Sequence, residues 1–154
     1  MSTVYEQLSL GGGIDQIDFR QYIQNLIAML SKSYLPPGGL VSIETQLDEV
    51  WLDAKRALPL GLILNELINN ALKHAFPEGS APGGAPGIIS VELTKADSQV
   101  TLRVADNGVG LMKRASSASS GMGLSLVEML SRQIGGSFTS ESGEGYAALV
   151  SFNL

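Results

Sequence analysis

The sequence has no cysteine, one histidine and one tryptophan. It also carries little charge: Asp, Glu, Lys and Arg make up 16% of its 154 residues, against a usual share of about 25%. Without cysteine there is no disulfide scaffold, no thiol nucleophile and no thiolate metal site. A single histidine rules against an all-histidine zinc site. There is no run of 18 apolar residues, so no membrane-spanning helix is expected. The N-terminus lacks a basic stretch followed by an apolar core, so no secretory signal is read. Fifteen acidic against ten basic residues give a net charge of −5 with no basic block, which argues against a nucleic-acid footprint. What remains is a cytoplasmic globular domain of α/β composition, long enough for one core. The low charge and 44% hydrophobic content further imply a surface covered by a partner or a missing segment. Glycine is the residue in excess. There are 18, where a usage of ~7% would give about 11, so the backbone must turn sharply or approach something closely at several places.

Val4, Tyr5 and Leu8 read as the fragment of a helix, broken by Gly11-Gly12-Gly13. Asp18 with Gln21 three residues later resembles a capping box. It opens a helix over about 19–33, with Phe19, Tyr22, Ile23, Leu26, Ile27 and Leu30 on one stripe. Val41, Ile43 and Thr45, followed by Val50-Trp51-Leu52 after Asp48-Glu49, predict a β-hairpin. Pro59 suits a helix first turn, and that helix is expected to run to about Ala75. Residues 77–87 are a Pro- and Gly-rich loop. Ile89, Val91 and Leu93, then Val100, Leu102 and Val104, predict a second strand pair. A last helix over about 122–134 stops at Gly135-Gly136. Two strands close the chain over about 137–142 and 146–153. Strands thus arrive in pairs between helices, which favours an α+β sandwich with helices on one face over a doubly wound parallel sheet.

In the middle helix, Leu64, Leu67, Ile68, Ala71 and Ala75 form the expected buried side. Glu66, Asn70 and Lys73 fall within an arc of about 60° opposite, flanked by Asn69 and His74. Such a face is ordinarily just solvated. Asn65, Asn69 and Asn70, however, are poor residues for a helix interior, because their amides compete for backbone hydrogen bonds. Their presence points to a required carboxamide. An Asn70 amide oxygen can ligate a hard cation such as Mg²⁺, Lys73 can offset phosphate charge, and Glu66 can orient or deprotonate a nearby group.

Asp106-Asn107-Gly108-Val109-Gly110 follows a strand. Asn-Gly is a common hairpin turn, but no alternating strand resumes after it. Asp106 can instead accept a hydrogen bond from an exocyclic amine, while Gly108 and Gly110 let the backbone pass close to a flat ring. Gly121-Met122-Gly123-Leu124 opens the last helix, and small residues at a helix N-terminus suit an anion. There is no Walker A P-loop and no complete dinucleotide fingerprint.

Together these elements resemble the GHKL ATPase superfamily. Asn65-Glu66-Leu67-Ile68-Asn69-Asn70-Ala71-Leu72-Lys73-His74-Ala75-Phe76 looks like its N box, and Asp106-Asn107-Gly108-Val109-Gly110 and Gly121-Met122-Gly123-Leu124 are similar to its two glycine boxes. The nearest resemblance is to the catalytic and ATP-binding domain of bacterial sensor histidine kinases, and within them to a subgroup with a variant dimerisation domain. It covers about 14–154, with 1–13 resembling the tail of a dimerisation helix and its linker. The resemblance implies a two-layer α/β sandwich, a mixed sheet with about three main helices on one face. It also implies ATP with Mg²⁺ as cofactors. Asn70 would hold Mg²⁺, and Asp106 would bind the adenine amine beside Gly108 and Gly110. Gly121, Met122, Gly123 and Leu124 would meet the phosphates with Lys73 and His74, and Glu66 would sit at the base position. A lid over about 111–120 would close on the nucleotide, with Lys113 or Arg114 either reaching phosphate or remaining a solvated lid charge. The implied partners are a histidine-containing dimerisation domain, in the same longer kinase or in trans, and a response regulator.

Two departures stand out. The family's usual Gly-Thr before the closing strand is Gly145-Tyr146 here. The only histidine, His74, lies inside the N box, so the phosphoacceptor is expected outside this chain. Two other readings remain: an anti-sigma-factor type Ser/Thr kinase, disfavoured by the Lys-His-Ala-Phe wording, and a nucleotide-dependent interaction switch without catalysis, which Tyr146 leaves open.

Overall fold

The computed structural model describes residues 16–110, 122–143 and 145–154. Strand β1 (Ile17–Asp18) leads directly into helix α1 (Phe19–Tyr34), followed by β2 (Val41–Leu47), β3 (Trp51–Leu52) and helix α2 (Ala54–His74). After a short 3₁₀ turn at Pro82–Gly84 come β4 (Gly87–Ala96), β5 (Gln99–Asp106), helix α3 (Met122–Gln133), β6 (Ser137–Ser142) and β7 (Tyr146–Asn153).

Asp18 caps α1 as its position predicts, its carboxylate accepting the amide N–H of Gln21 at 3.2 Å. The reciprocal arm of the box is not made, because the Gln21 side chain donates to Asn25 Oδ1 at 3.0 Å instead. The stripe Phe19, Tyr22, Ile23, Leu26, Ile27 and Leu30 is buried throughout. α2 begins five residues before Pro59, at an Asp53 cap whose side chain accepts the amide N–H of Arg56. Pro59 therefore lies inside the helix. The bond it forfeits is the one to the carbonyl of Lys55, which sits in the exposed first turn where water can replace it. At the other end of the chain's helices, α3 stops in a Schellman motif: the Gly136 amide donates to Ser131 O at 2.8 Å and the Gly135 amide to Arg132 O at 3.0 Å. Gly135 takes φ 75°, a left-handed conformation open to glycine at little cost.

The five-stranded sheet has the order β2-β4-β5-β7-β6. β4 with β5 and β6 with β7 are antiparallel hairpins, as the strand pairs predict. The first pair is different. β2 and β3 do not form a hairpin. β2 runs parallel to β4, while β3 pairs with β1 in a separate two-stranded ribbon. The alternation in β2 was legible, but its partner was not. A parallel neighbour needs a long crossover, and here α2 supplies it. Asp48 marks the divergence: its amide donates to Leu93 O at 2.8 Å and its carboxylate accepts the Lys95 amide at 2.9 Å. The chain stays bound to β4 at the point where a hairpin would have turned it away.

One face of the sheet is apolar and covered. Ile89, Val91 and Leu93 on β4, Val100, Leu102 and Val104 on β5, and Ala148, Val150 and Phe152 on β7 are buried in one cluster with Leu60, Ile63, Leu64, Leu67 and Ile68 of α2. Each fully buried Leu, Ile or Phe side chain contributes about 1.5–3 kcal/mol. The other face is polar, with Arg103 paired to Glu92 at 3.7 Å and the hydroxyls of Thr101 and Ser151 bonded at 3.0 Å. Three helices with a mixed five-stranded sheet form an α+β sandwich, the class that the order of helices and strand pairs predicts. No helix among the described residues is long and apolar enough to cross a membrane.

Candidate functional site

At the end where β5 stops, Ile89, Asp106, Tyr146 and Ser142 form one row across β4, β5, β7 and β6. Direct cross-strand partners share a face. Alternation from the buried Val104 and Ala148 puts this row on the helix side. Asp106 is half-buried there, and its Oδ1 accepts the Gly108 amide N–H at 3.0 Å. This Asx turn swings the chain out of the sheet and orients the carboxyl. Asn107 fastens the opposite side. Its Oδ1 accepts the Ile88 amide at 2.7 Å, its Nδ2 donates to Pro86 O at 3.0 Å, and its own amide donates to Ile88 O at 3.2 Å.

The glycines of this segment have a role the sequence did not show. Within the chain they are packed against backbone. A Cβ on Gly108 would overlap the carbonyl of Ala75, the residue that caps α2. The next amide, Val109, donates to that same carbonyl at 2.9 Å. A Cβ on Gly110 would stand 2.6 Å from Gly143 O, and one on Gly145 would overlap Asp106 O. Three segments distant in sequence therefore meet at β5's end, the helix cap, the turn after β5 and the β6–β7 turn, and glycine alone permits that approach.

A cleft of about 930 Å³ opens at this junction, at the upper end of the range for ligand pockets. Its walls are Asp106 through Gly110, Ser142, Gly143 and Gly145, and, from the loop after α2, Ala81, Pro82 and Ala85. That loop had no functional account in the sequence. Its glycines adopt left-handed backbone, Gly79 at φ 77°, Gly83 at φ 80° and Gly84 at φ 80°, and they let it curl over the strand ends. Composition identifies such a loop but not what it covers. The part Asn107 plays is equally invisible in the sequence, since an Asn-Gly pair reads as an ordinary turn.

The structure thus brings Asp106, Gly108 and Gly110 together in the cleft. It does not place Glu66, Asn70, Lys73 or His74 in the described walls. These stand on α2 away from the buried side, Lys73 exposed and the other three half-buried. They connect to the cleft through Ala75, so Lys73 is less than one turn, and Asn70 about 7.5 Å along the axis, from the residue that meets Gly108. α3 begins at Met122, so Gly123 and Leu124 lie in its first turn as predicted, and the Leu124 side chain packs against the core. Gly121, the lid over 111–120 with Lys113 and Arg114, and the N-terminal segment 1–13 lie outside the described residues. Among the described residues no group of three or more His, Cys, Asp or Glu is arranged to hold a metal ion. Asn70, half-buried on α2, carries a carboxamide oxygen, a hard donor of the kind Mg²⁺ accepts.

Residues 55–154 match the family described as histidine kinase-, DNA gyrase B-, and HSP90-like ATPase. The signal transduction histidine-protein kinase AfsQ2 of Streptomyces coelicolor is 32% identical over 131 residues, which is 70% of this chain and 23% of that protein. The sensor histidine kinase PdtaS of Mycobacterium tuberculosis is 33% identical over 80 residues, 51% of this chain and 15% of that protein. The chain therefore spans less than a quarter of the length of these relatives. Among solved structures, the histidine kinase domain of the Erythrobacter litoralis EL346 blue-light activated histidine kinase superposes with a TM-score of 0.83 at 20% identity. It covers 98% of this chain and 70% of that one. The mycobacterial sensor histidine kinase MprB gives 0.69 at 19% identity, covering 90% and 95%. At such identities the structures speak for the fold alone; the family match and the curated relatives carry the rest. This chain belongs to the histidine kinase-, DNA gyrase B-, and HSP90-like ATPase family, as a nucleotide-binding domain of the histidine kinase type.

Proposed function

We propose that this domain binds Mg·ATP in a two-component sensor histidine kinase and transfers the γ-phosphoryl group to a histidine outside this chain. The observation that carries the reading is Asp106. A carboxylate stands at a strand end, on the helix side of the sheet, oriented by the Gly108 amide and facing a cleft large enough for a nucleotide. There it would accept a hydrogen bond from the exocyclic amine of adenine, with Gly108 and Gly110 on the same side of the base. The α2 face that starts at Ala75 would take the triphosphate, with Lys73 and His74 nearest. Gly121, Met122, Gly123 and Leu124 would add the free amides and positive dipole end of α3. Asn70 would hold Mg²⁺, which supplies charge neutralisation at the phosphates.

In such a transfer a ring nitrogen of the acceptor histidine forms the new bond to γ-phosphorus, and the bond to the β–γ bridging oxygen breaks, leaving ADP. The protein's share is positioning and charge compensation. Glu66, one turn before Asn70, would orient the acceptor ring or take its proton. A domain with five more acidic than basic residues holds an anionic nucleotide only with Lys73, the helix dipole and the cation supplying local positive charge. The acceptor would lie in a dimerisation domain, of the same longer kinase or in trans, and a response regulator would receive the phosphoryl group next. The setting would be cytoplasmic.

Histidine kinases among the curated relatives favour this reading over an anti-sigma-factor type Ser/Thr kinase. The test is to supply a histidine-containing dimerisation domain with labelled ATP and look for acid-labile phosphohistidine. The label should appear and should be lost in Asn70→Ala. Nucleotide binding without any transfer would favour the interaction switch.

A further inference from the structure

Resting on the nucleotide reading, we propose that the turn at 81–85 is a preformed apolar wall for the flat face of the base, and that Pro82 and Ala85 on it set a preference for a purine over a smaller base. The turn lines the 930 Å³ cleft together with Asp106. It is built to hold its shape. The Ala81 amide donates to Ala85 O at 2.8 Å and the Gly84 amide to Ala81 O at 3.1 Å, which closes the turn on itself. Gly83 and Gly84, both at φ 80°, make the reversal. Both feet are tied down. Before the turn, the Gly79 amide donates to Phe76 O at 3.0 Å, and Ala81 is buried. After it, Asn107 Nδ2 donates to Pro86 O at 3.0 Å, so the wall is fastened to the residue next to Asp106.

The two sides of the cleft differ in chemistry. No side chain between Glu78 and Glu92 is charged, and from this stretch the cleft takes only Ala81, Pro82 and Ala85. The strand-end side carries the carboxylate of Asp106, with Gly108, Val109 and Gly110 beyond it. Asn107 lines the cleft as well, but its carboxamide is engaged with the Ile88 amide and Pro86 O. A ligand suited to such a lining has a donor at one edge and apolar faces. An aminopurine answers to that description, its amine going to Asp106 and a ring face to the proline and alanine. Pro82 and Ala85 are both exposed, so a base seated on them takes apolar surface out of water, and a double ring takes out more than a single one. Because the turn is already closed and anchored, little freedom is lost when the base arrives.

CTP separates this wall from the rest of the site, because it carries the same triphosphate and an exocyclic amine on a single ring. Affinities for ATP and CTP with Mg²⁺ are measured by calorimetric titration on the 154-residue chain and on its variants. The parent should prefer ATP by about tenfold or more. The double variant Pro82→Gly with Ala85→Gly should lose about tenfold for ATP but about threefold or less for CTP, the scale of pocket-shape effects. Pro82→Ser should fall between the two. Asp106→Asn should weaken both nucleotides alike. Glu78→Ala, a change in the same loop outside the cleft lining, should keep the parental ratio. The substituted side chains of the wall are exposed, and a ratio of two affinities is insensitive to a general loss of stability. A parent without the preference overturns the wall, as does an unchanged ratio in the double variant or a ratio that falls as far in Glu78→Ala. If ATP binding weakens in Asp106→Asn while the wall variants keep the ratio, only the wall fails. If the parent binds neither nucleotide, the nucleotide reading falls and the wall with it.

Discussion

Where β5 ends, backbone lies against backbone: Gly108 on the carbonyl of Ala75, Gly110 on Gly143, Gly145 on Asp106. Along the outer face of α2, the carboxamide of Asn70, the ammonium of Lys73 and the carboxylate of Glu66 project from a regular helix and are half-buried or exposed. The first region can hardly change without moving three segments. The second can change one side chain at a time. If the first holds the base and the second the phosphates, folding and ligand binding should separate along the length of the site, which makes the contrast breakable by mutation.

The largest effect should come from Gly108→Ala. The added methyl collides with a helix-cap carbonyl that cannot rotate away, so a loss of about 3 kcal/mol is expected, the upper range for overpacking. Denaturant titration measures it, and Gly145→Ala should behave alike. A neutral Gly108→Ala would mean that the junction is soft and the contrast false. Next is Asn107→Ala, which leaves the Ile88 amide and the Pro86 carbonyl without their partners. A cost of about 1–2 kcal/mol is expected, with nucleotide affinity falling as the loop over the cleft loosens. Asp53→Ala removes the cap at the far end of α2 and should cost about 1 kcal/mol while leaving nucleotide affinity unchanged, which shows that destabilisation alone does not mimic a site defect. The smallest effect on stability belongs to Lys73→Ala, within about 0.5 kcal/mol for an exposed side chain. Its ATP affinity should nevertheless drop about tenfold, the scale of one charge-assisted hydrogen bond, and the remaining binding should depend less on salt. A Lys73→Ala variant that binds ATP as the parent does would remove α2 from the phosphate side.

The same contrast explains what the sequence could and could not reveal. The buried stripes of α1 and α2 and the alternation of β4, β5 and β7 appeared directly, because periodicity records which face is covered. The parallel partnership of β2 did not, because alternation carries no information about which strand lies alongside; a two-residue Asp48-Glu49 step looked like a turn and proved to be an exit. α2 starts earlier than Pro59 suggests, because the Asp53 side chain caps it at Ala54 and the proline is accommodated inside. Asp106 was legible as a chemical residue from its place at a strand end. The glycines beside it stand out by number and suggest a close approach to the base, whereas within the chain they form a three-way backbone junction. The bonds of Asn107, the approach of Gly145 to Asp106 and the place of the loop at 81–85 are not legible for the same reason: each is a contact distant in sequence, which neither residue type nor spacing encodes.

If Asp106 faces a nucleotide, the thermal unfolding midpoints of the parent chain and of Asp106→Asn should respond differently to ATP and ADP, with and without Mg²⁺. A ligand that binds only the folded state, at about 100 times its dissociation constant, adds about 2.7 kcal/mol. For a domain of this size that corresponds to a rise of several degrees. This rise is expected for the parent with ATP and Mg²⁺ at millimolar concentration, and a rise at least halved in Asp106→Asn. An absent shift in the parent, or an equal shift in both proteins, would contradict it.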